Sequence, residues 1–385
     1  MRLERAIAAL AKESFEILPE VERDRLTSIR PTLDVDPTEV ETYGHKKRGF
    51  AWNYQGQWAG RPTPVVWAEA GVVVAGKLLA GNQDPRPAAR RMVKKAIAAL
   101  PEGLGRPRLR FDSGFFDHKL AGVCLEAGAD YAMAVPRNGG FWKAVRAVAP
   151  DAWKPAKDMA NAEVAEANYL PGDWPSSPRT IVRRVRVEAA DIKSDVRSRR
   201  LRTIDKEELR AVREGRADHA YSYSMIITSL TDDMVSVEHW FRERAQIEER
   251  LKDSKLGDAL RHLPSGYKVV NAVWMWSAFL ALNLSAVLSA LARADEDRAE
   301  QARAEQERAA LDQNPANLSP PEPRRSRRRP LRAHGKRLRR EVINVPGRLA
   351  HHARGLVVHL HPSQDGGPLV RVYDALQLLP SYAGP

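Results

Sequence analysis

Cysteine is almost absent from this sequence. Cys124 is the only one among 385 residues. A single thiol excludes an internal disulfide and any metal site built on a cysteine pair, and it suits a reducing cytoplasm. The amino terminus, MRLERAIAALAKESF, places charges among its apolar residues and so lacks the apolar centre of a signal peptide. We therefore expect a cytoplasmic protein.

Long hydrophobic runs are also scarce, and one stands out. Val269–Leu291 carries no charge and is long enough to cross a bilayer. It also contains Asn271, Asn283 and three serines, and the rest of the chain is strongly polar. We interpret the run as a buried core helix, with a single membrane span as the alternative.

What the chain has in excess is positive charge. Its formal net charge is +13, which favours a polyanionic partner such as nucleic acid or an anionic membrane surface. The stretch RRSRRRPLRAHGKRLRR, residues 324–340, concentrates this charge. We interpret it as an arm that contacts the DNA backbone, with a solvated charged linker as the alternative.

The hydrophobic pattern predicts an α/β fold. LDVDPTEV alternates as a strand, TPVVWAEAGVVVAGKLL reads as a hairpin, and RPRLRFD and DYAMAVP read as strands that alternate with helices. We predict that Asp84 caps the first of these helices, with Pro85 at its first position, and that Asp117 caps the second. An antiparallel opening followed by alternating helices and strands indicates a mixed sheet flanked by helices.

The chain divides by composition into six parts. We predict a short N-terminal helix (1–30), the first part of a catalytic core (31–138), a β-rich insertion (139–223), the second part of the core (224–292), a charged linker or basic arm (293–340) and a C-terminal tail (341–385). Trp52, Tyr54 and Trp58 are interpreted as a half-buried sheet face, with base stacking as the alternative.

Two aspartates on different predicted strands, Asp36 and Asp112, suggest a metal site. Asp34 and Asp36 lie two apart on the first strand and so share a face. Asp112 ends a later strand, and Asp117 is better placed to cap the helix that follows. In a mixed sheet these strands can be neighbours, which would bring Asp36 close to Asp112. Adjacent carboxylates repel each other unless a divalent cation lies between them, and such hard oxygen ligands suit Mg²⁺ or Mn²⁺.

A charged helix offers a third carboxylate. In HWFRERAQIEERLKDSK, the spacing places Arg244, Glu248 and Lys255 on one helical stripe. Glu248 could then bind metal while the two basic residues hold phosphate oxygens. The alternative is a solvated helix with ordinary ion pairs between successive turns.

Together these residues resemble the DDE transposases of bacterial insertion elements, which have an RNase H-like catalytic core. The resemblance is to the branch with the signature Tyr-x2-Arg-x3-Glu-x6-Lys, at whose spacing stand Phe241, Arg244, Glu248 and Lys255. LDVDPTEVETYGHKKRG, NYQGQ, LLAGNQDPRP, LRFDSGFF and DSKLGDALRHLPSGY are similar to the same family. The resemblance covers about Leu33 to the C-terminus.

The resemblance implies specific roles. Asp36, Asp112 and Glu248 would be the catalytic, metal-binding residues, with two Mg²⁺ or Mn²⁺ ions. The β-rich insertion would lie between the second aspartate and the glutamate of an RNase H-like mixed sheet. The implied DNA-binding residues are Arg244, Lys255, Phe241, Arg242 and Lys252.

It also implies partners. The DNA substrates would be the terminal inverted repeats of an element and its target DNA. A homodimer would cut and join them. The protein would act on the nucleoid and would have no membrane partner. The sequence departs from the family in having Phe241 at the tyrosine position and Pro37-Thr38 where Ser-Thr is usual. It also has only about thirty residues before the first aspartate, as expected of a truncated copy. The alternative function is therefore a non-catalytic remnant that binds DNA or regulates.

Overall fold

The computed structural model describes residues 2–175, 177–192, 201–245, 255, 259–313, 344–352, 355–361 and 367–377. Its strands are β1 Thr32–Val35, β2 Val40–Glu41, β3 Ala51–Trp52, β4 Trp58–Trp67, β5 Val72–Ala80, β6 Arg108–Phe111, β7 Asp130–Ala134, β8 Lys154–Pro155, β9 Ala162–Glu166, β10 Arg179–Glu188, β11 His219–Thr228, β12 Gly347–His352 and β13 Gly355–Leu360. Its longer helices are α1 Arg2–Glu16, α2 Glu20–Thr27, α3 Arg86–Ala98, α4 His118–Glu126, α5 Gly139–Arg146, α6 Lys206–Arg213, α7 Met234–Arg242, α8 Lys268–Gln313 and α9 Pro368–Gln377.

A mixed sheet of eleven strands organises the fold. Its order is β2-β4-β1-β6-β7-β11-β10-β9-β8, and β3 and β5 also pair with β4. β1, β6 and β7 run parallel, whereas β4 and β5 form the predicted hairpin and β11 returns antiparallel to β7. This arrangement, with helices on both faces, confirms the predicted mixed sheet and agrees with an RNase H-like fold.

The two faces of the sheet bury different cores. Alternate residues of β1 and β6, including Leu33, Val35 and Phe111, pack with α3, α4 and α5 in the largest hydrophobic cluster. On the opposite face, Phe279 of α8 packs under β5, and Trp240 of α7 belongs to a further cluster beside β10 and β11. Successive strand residues point to opposite faces, so Asp34 and Asp36 lie on the face that α7 covers.

The predicted insertion continues the main sheet. β8, β9 and β10 extend it beyond β7 through β11, which pairs with β7 from Ala132 to Ala134. β11 spans His219–Thr228 and so crosses the predicted boundary at residue 223. The division into domains otherwise stays a prediction.

Helix boundaries differ from the predictions in three places. α3 begins at Arg86, one residue later than expected, although Asp84 Oδ1 still accepts a hydrogen bond from the Arg86 amide at 3.0 Å. The stretch VEHWFRERAQIEERLKDSKLGDAL predicts a helix opened by Ser236, but α7 begins at Met234, because Asp233 accepts the capping bond. α7 also ends at Arg242, and Glu243 and Arg244 lie in a turn. The prediction of one continuous helix that carries Arg244, Glu248 and Lys255 on a single stripe is therefore wrong at Arg244, which lies in a turn.

The apolar run lies in α8 as a core helix. One stretch, Lys268–Leu291, is long and apolar enough to cross a bilayer, and 56% of its most apolar window is buried in the fold. α8 continues to Gln313, so the predicted linker is helical over Arg293–Gln313; its residues 314–340 lie outside the described part. In the tail, β12 and β13 form a hairpin and α9 packs against α8.

The two asparagines of this helix bind backbone. Asn283 accepts a hydrogen bond from the Val73 amide at 2.7 Å and donates one to the Val73 carbonyl at 2.9 Å, where β5 offers a free edge. Asn271 binds the amide and carbonyl of Ser265 in the same way, at 2.9 and 2.8 Å. Both side chains are buried. Their amides satisfy backbone groups that would otherwise be buried unpaired.

We expect Asn283→Leu to lower the free energy of unfolding by about 2–4 kcal/mol, because it leaves a buried amide and a buried carbonyl without partners. Urea unfolding followed by circular dichroism measures the change. Ser277→Ala is the matched control, since Ser277 is exposed on the same helix and bonds only to the Val273 carbonyl. Equal midpoints for the two variants would contradict this role for Asn283.

Candidate active site

Asp36 and Asp112 follow two neighbouring strands. β1 and β6 are parallel, and their last residues, Val35 and Phe111, are paired across the ladder. Each aspartate is the next residue along its strand, so both leave the sheet at the same edge. Both are half-buried. The structure thus brings together two of the three predicted carboxylates, although they are 76 positions apart.

The turn after β6 holds the Asp112 carboxylate in place. Ser113–Phe115 forms a short 3₁₀ turn, and Asp112 Oδ1 accepts a hydrogen bond from the Gly114 amide at 2.9 Å. A Cβ atom on Gly114 would lie only 3.1 Å from that oxygen. Glycine therefore lets the backbone approach the carboxylate closely. Asp117 caps α4 as predicted, accepting from the Leu120 amide at 3.1 Å.

Asp34 forms a buried ion pair in the core of the sheet. It is directly opposite Arg110 on β6, and the two form a bidentate ion pair at 2.6 and 2.8 Å. Both side chains are almost fully buried, at 2% and 3% exposed. This pair holds the strands in register and engages both carboxylate oxygens of Asp34 inside the core, whereas the Asp36 side chain is 15% exposed, which favours Asp36 as the metal ligand.

Arg110 also fixes the end of α7. Its Nη1 donates to the Trp240 carbonyl, one of the last carbonyls of that helix. The Trp240 indole in turn donates to Thr32 Oγ1 at 3.0 Å, and its ring lies under the guanidinium groups of Arg108 and Arg110, at 4.6 and 5.2 Å. A cation that satisfies a terminal helix carbonyl is a stabilising C-terminal contact. The end of α7 is therefore anchored over β1 and β6.

This anchor places Arg244 against Asp36. Arg244 donates a hydrogen bond to Asp36 Oδ1, and each side chain is 15% exposed. Lys255 lies close by and donates to the Glu39 carbonyl at 2.7 Å. Burial lowers the pKa of the Lys255 ammonium, and the carboxylates of Glu39 and Asp36 oppose that change. Two basic side chains thus lie beside the first aspartate.

The other predicted DNA-binding residues have varied settings. Phe241 is half-buried against the cluster that contains Trp240. Arg242 donates to the carbonyls of Lys157 and Asp158. Lys252 and the predicted third catalytic carboxylate, Glu248, lie outside the described residues.

The described carboxylates suit a hard divalent cation. Asp36 and Asp112 offer oxygen ligands at one edge of the sheet. Within the described residues, no group of three or more histidine, cysteine, aspartate or glutamate side chains could hold a metal ion. The third predicted carboxylate, Glu248, lies outside those residues.

Sequence reasoning missed Arg110 and Trp240. One signal was available: Arg110 is a charged residue in the centre of a strand, RLRF, whose neighbours β1 and β7 bury it on both sides. A charge in such a place requires a partner. The sequence alone does not show which partner, since Asp34 is 76 positions away and Trp240 is 130 positions away.

A known protein family matches most of this sequence. The family model described as "Transposase DDE domain group 1" matches residues 24–311. A search of curated protein sequences gives no significant match. Among solved structures, the chain is similar to the piggyBac transposase in a synaptic complex with hairpin DNA, with 10% identity, a TM-score of 0.37, and coverage of 66% of this chain and 46% of that one. The chain thus spans less than half the length of that transposase. Since the family model covers well over half of the sequence, the chain belongs to the DDE transposase domain family, group 1.

Proposed function

We propose that this protein is a transposase that cleaves DNA strands at the ends of an insertion element and joins them to target DNA in a metal-dependent reaction. The observation that carries the proposal is the parallel register of β1 and β6, which ends both strands in an aspartate at one edge of the sheet. Membership of the DDE family gives that edge its chemistry.

Each residue has a distinct part in the proposed reaction. Asp36, Asp112 and Glu248 would hold two Mg²⁺ or Mn²⁺ ions. Such a pair of ions, when bound, activates a water or a 3′-hydroxyl and stabilises the leaving oxygen. Gly114 keeps the Asp112 carboxylate turned in one direction through its amide. Arg110 and Trp240 position the chain segment that carries Arg244.

Arg244 and Lys255 would neutralise DNA phosphates beside the metal site. Arg244 rests on Asp36 in this structure, so it lies within reach of any phosphate that enters there. The partially buried Lys255 supplies a second charge near the same carboxylate. The surplus charge of the chain agrees with a DNA partner.

We expect Arg244→Ala and Lys255→Ala each to weaken DNA binding and to make its salt dependence shallower by about one unit in the logarithmic slope. Some residual cleavage should remain, because the carboxylates stay in place. Gel shifts across a salt series measure the slope. Lys94→Ala is the control: Lys94 is exposed on α3, on the opposite face of the sheet, and its loss should leave the slope nearly unchanged.

The proposal extends to the assembly. An element has two ends, and two copies of the chain would supply one active site to each. The DNA substrates would be the terminal inverted repeats and the target, and the protein would act in the cytoplasm on the nucleoid.

The decisive test of function is a nicking assay on DNA that carries the inverted repeats flanking the coding sequence. The unmodified chain should nick these ends with Mg²⁺ or Mn²⁺ and be inactive in EDTA. Glu248→Gln should abolish nicking and leave DNA binding largely intact, because binding depends mainly on basic residues. If the unmodified chain binds the ends but never nicks them with either metal, the protein is a DNA-binding remnant instead.

A further inference from the structure

An exposed aromatic cluster lies at the start of the β3–β4 hairpin. The rings of His45 and Trp52 stack at 5.2 Å between centroids, and Trp58 meets both edge-on, at 5.9 and 5.6 Å. Trp52 is 54% exposed and Tyr54 is 80% exposed. The prediction of a half-buried sheet face is therefore wrong for these two residues, because β3 is only two residues long and Tyr54 lies beyond it in a turn.

The turn that carries these rings is well ordered by its own hydrogen bonds. Asn53 Oδ1 accepts from the amides of Gln55 and Gln57, at 3.0 and 2.8 Å, and the Asn53 amide donates to the Gln57 carbonyl. The aromatic side chains are thus held out from a fixed support. Exposed aromatic groups on such a support indicate an interaction surface, since burying them elsewhere would stabilise the fold.

Basic side chains lie in the same loop as His45. Lys46 and Arg48 are exposed in the loop before β3. The Arg48 guanidinium lies 5.8 Å from the centre of the exposed Tyr267 ring, and its backbone amide donates to the Gly266 carbonyl. Lys47 donates to the Leu263 carbonyl and ties the same loop to the segment before α8. We call the exposed part of this region, Tyr43, His45, Lys46, Arg48, Trp52 and Tyr54, the aromatic–basic surface.

An extended segment of the chain connects the candidate active site to this surface. The chain from Leu33 to Thr42 follows β4 in constant antiparallel register, from Leu33 opposite Trp67 to Glu41 opposite Ala59, with the Thr42 amide bonded to the Trp58 carbonyl. Six residues of extended chain therefore separate Asp36 from Thr42, a distance of about 20 Å. Midway, Lys255 and Arg61 both contact Glu39.

We propose that the aromatic–basic surface binds unpaired nucleotides of the DNA, about 20 Å along the strand from the site of cleavage, or roughly six nucleotides at the spacing of a DNA strand. Aromatic faces stack on any base, and the neighbouring lysine and arginine attract the backbone. Fully paired DNA offers no free base faces, so this chemistry selects single-stranded or unwound segments. The inference rests on the proposed function for its choice of DNA over other polyanions.

The test measures binding without divalent metal. Fluorescence anisotropy in EDTA compares a blunt duplex with the same duplex carrying a single-stranded tail. We expect the unmodified chain to prefer the tailed duplex by about ten-fold. Trp52→Ala should remove most of that preference, whereas Trp52→Phe should retain it. In both variants the affinity for the blunt duplex should equal that of the unmodified chain. Tyr373→Ala, which removes an exposed tyrosine from α9, is the matched control and should behave like the unmodified chain.

Several results would overturn the proposal. The unmodified chain could show no preference for the tail, or the preference could survive both Trp52→Ala and Tyr54→Ala. A Trp52→Ala variant that weakens both DNAs equally would indicate a backbone contact only. Circular dichroism checks folding, and Tyr54→Ala decides the matter if Trp52→Ala does not fold. Because no cleavage occurs in EDTA, failure here leaves the nicking assay untouched, and a chain that never nicks can still show the preference.

Discussion

Replacing Asp112 by asparagine should reduce Mg²⁺-dependent nicking by more than about 100-fold, since even the loss of a partner one shell beyond a metal ligand costs about 10–100-fold. The amide keeps the shape of the side chain and can still accept from the Gly114 amide. It removes the charge that a divalent ion requires. DNA affinity should be unchanged or slightly higher, because a negative charge near the phosphates is lost. Nicking rates and gel shifts on one preparation measure both effects.

Asp36→Asn should behave in the same way, because Asp36 ends the neighbouring strand in the same register. Glu126→Gln is the matched control. It removes one carboxylate charge from an exposed position at the end of α4, on the opposite face of the sheet, and should leave nicking unchanged. Normal nicking by Asp112→Asn would remove that residue from the catalytic set, whatever the fate of Asp36→Asn.

Replacing Asp34 by alanine should destabilise the fold by about 3–5 kcal/mol, the cost of leaving one member of a buried ion pair without its partner. The guanidinium of Arg110 would stay buried, with the Trp240 carbonyl as a remaining acceptor. Urea unfolding measures the loss. Nicking should fall as well, since the end of α7 would lose its anchor and Arg244 its place beside Asp36.

An exposed pair of the same chemistry serves as the control. Asp84 and Arg86 are each 45% exposed, and Asp84→Ala, which also removes the acceptor of the Arg86 amide at the start of α3, should cost about 0.5–2 kcal/mol. A second comparison tests the cause of the large effect. Asp34→Leu combined with Arg110→Met removes both charges and should recover part of the loss in Asp34→Ala, although the Trp240 carbonyl then lacks its donor. If Asp34→Ala and Asp84→Ala lowered the free energy of unfolding equally, the buried pair would contribute no more to stability than the exposed pair.

Local pattern was enough for much of the fold. The hairpin of β4 and β5, the strands β6 and β7 and the cap of α4 by Asp117 follow from alternation and turn chemistry, which act between near neighbours. The end of α7 could not be predicted in this way. The sequence continues with residues that suit a helix, but Arg110 binds the Trp240 carbonyl and the chain turns at Glu243 and Arg244. A tertiary contact here overrides local propensity.

The candidate site, like the fold, could be predicted only in part from the sequence. The strand positions of Asp36 and Asp112 were sufficient to predict that they follow neighbouring strands of the sheet. The division of work between Asp34 and Asp36 was open, because two aspartates on one strand face look alike in sequence. Only the register that sets Asp34 opposite Arg110 distinguishes them.

The contact between Arg244 and Asp36 joins positions 208 residues apart in the chain. A ribosome adds about 5–20 residues per second, so roughly 10–40 s pass between synthesis of the first aspartate and synthesis of its arginine. For most of that interval the nascent chain contains β1 and β6 but not the segment that closes over their ends. The ends of β1 and β6 therefore stay uncovered by this segment until translation is well advanced.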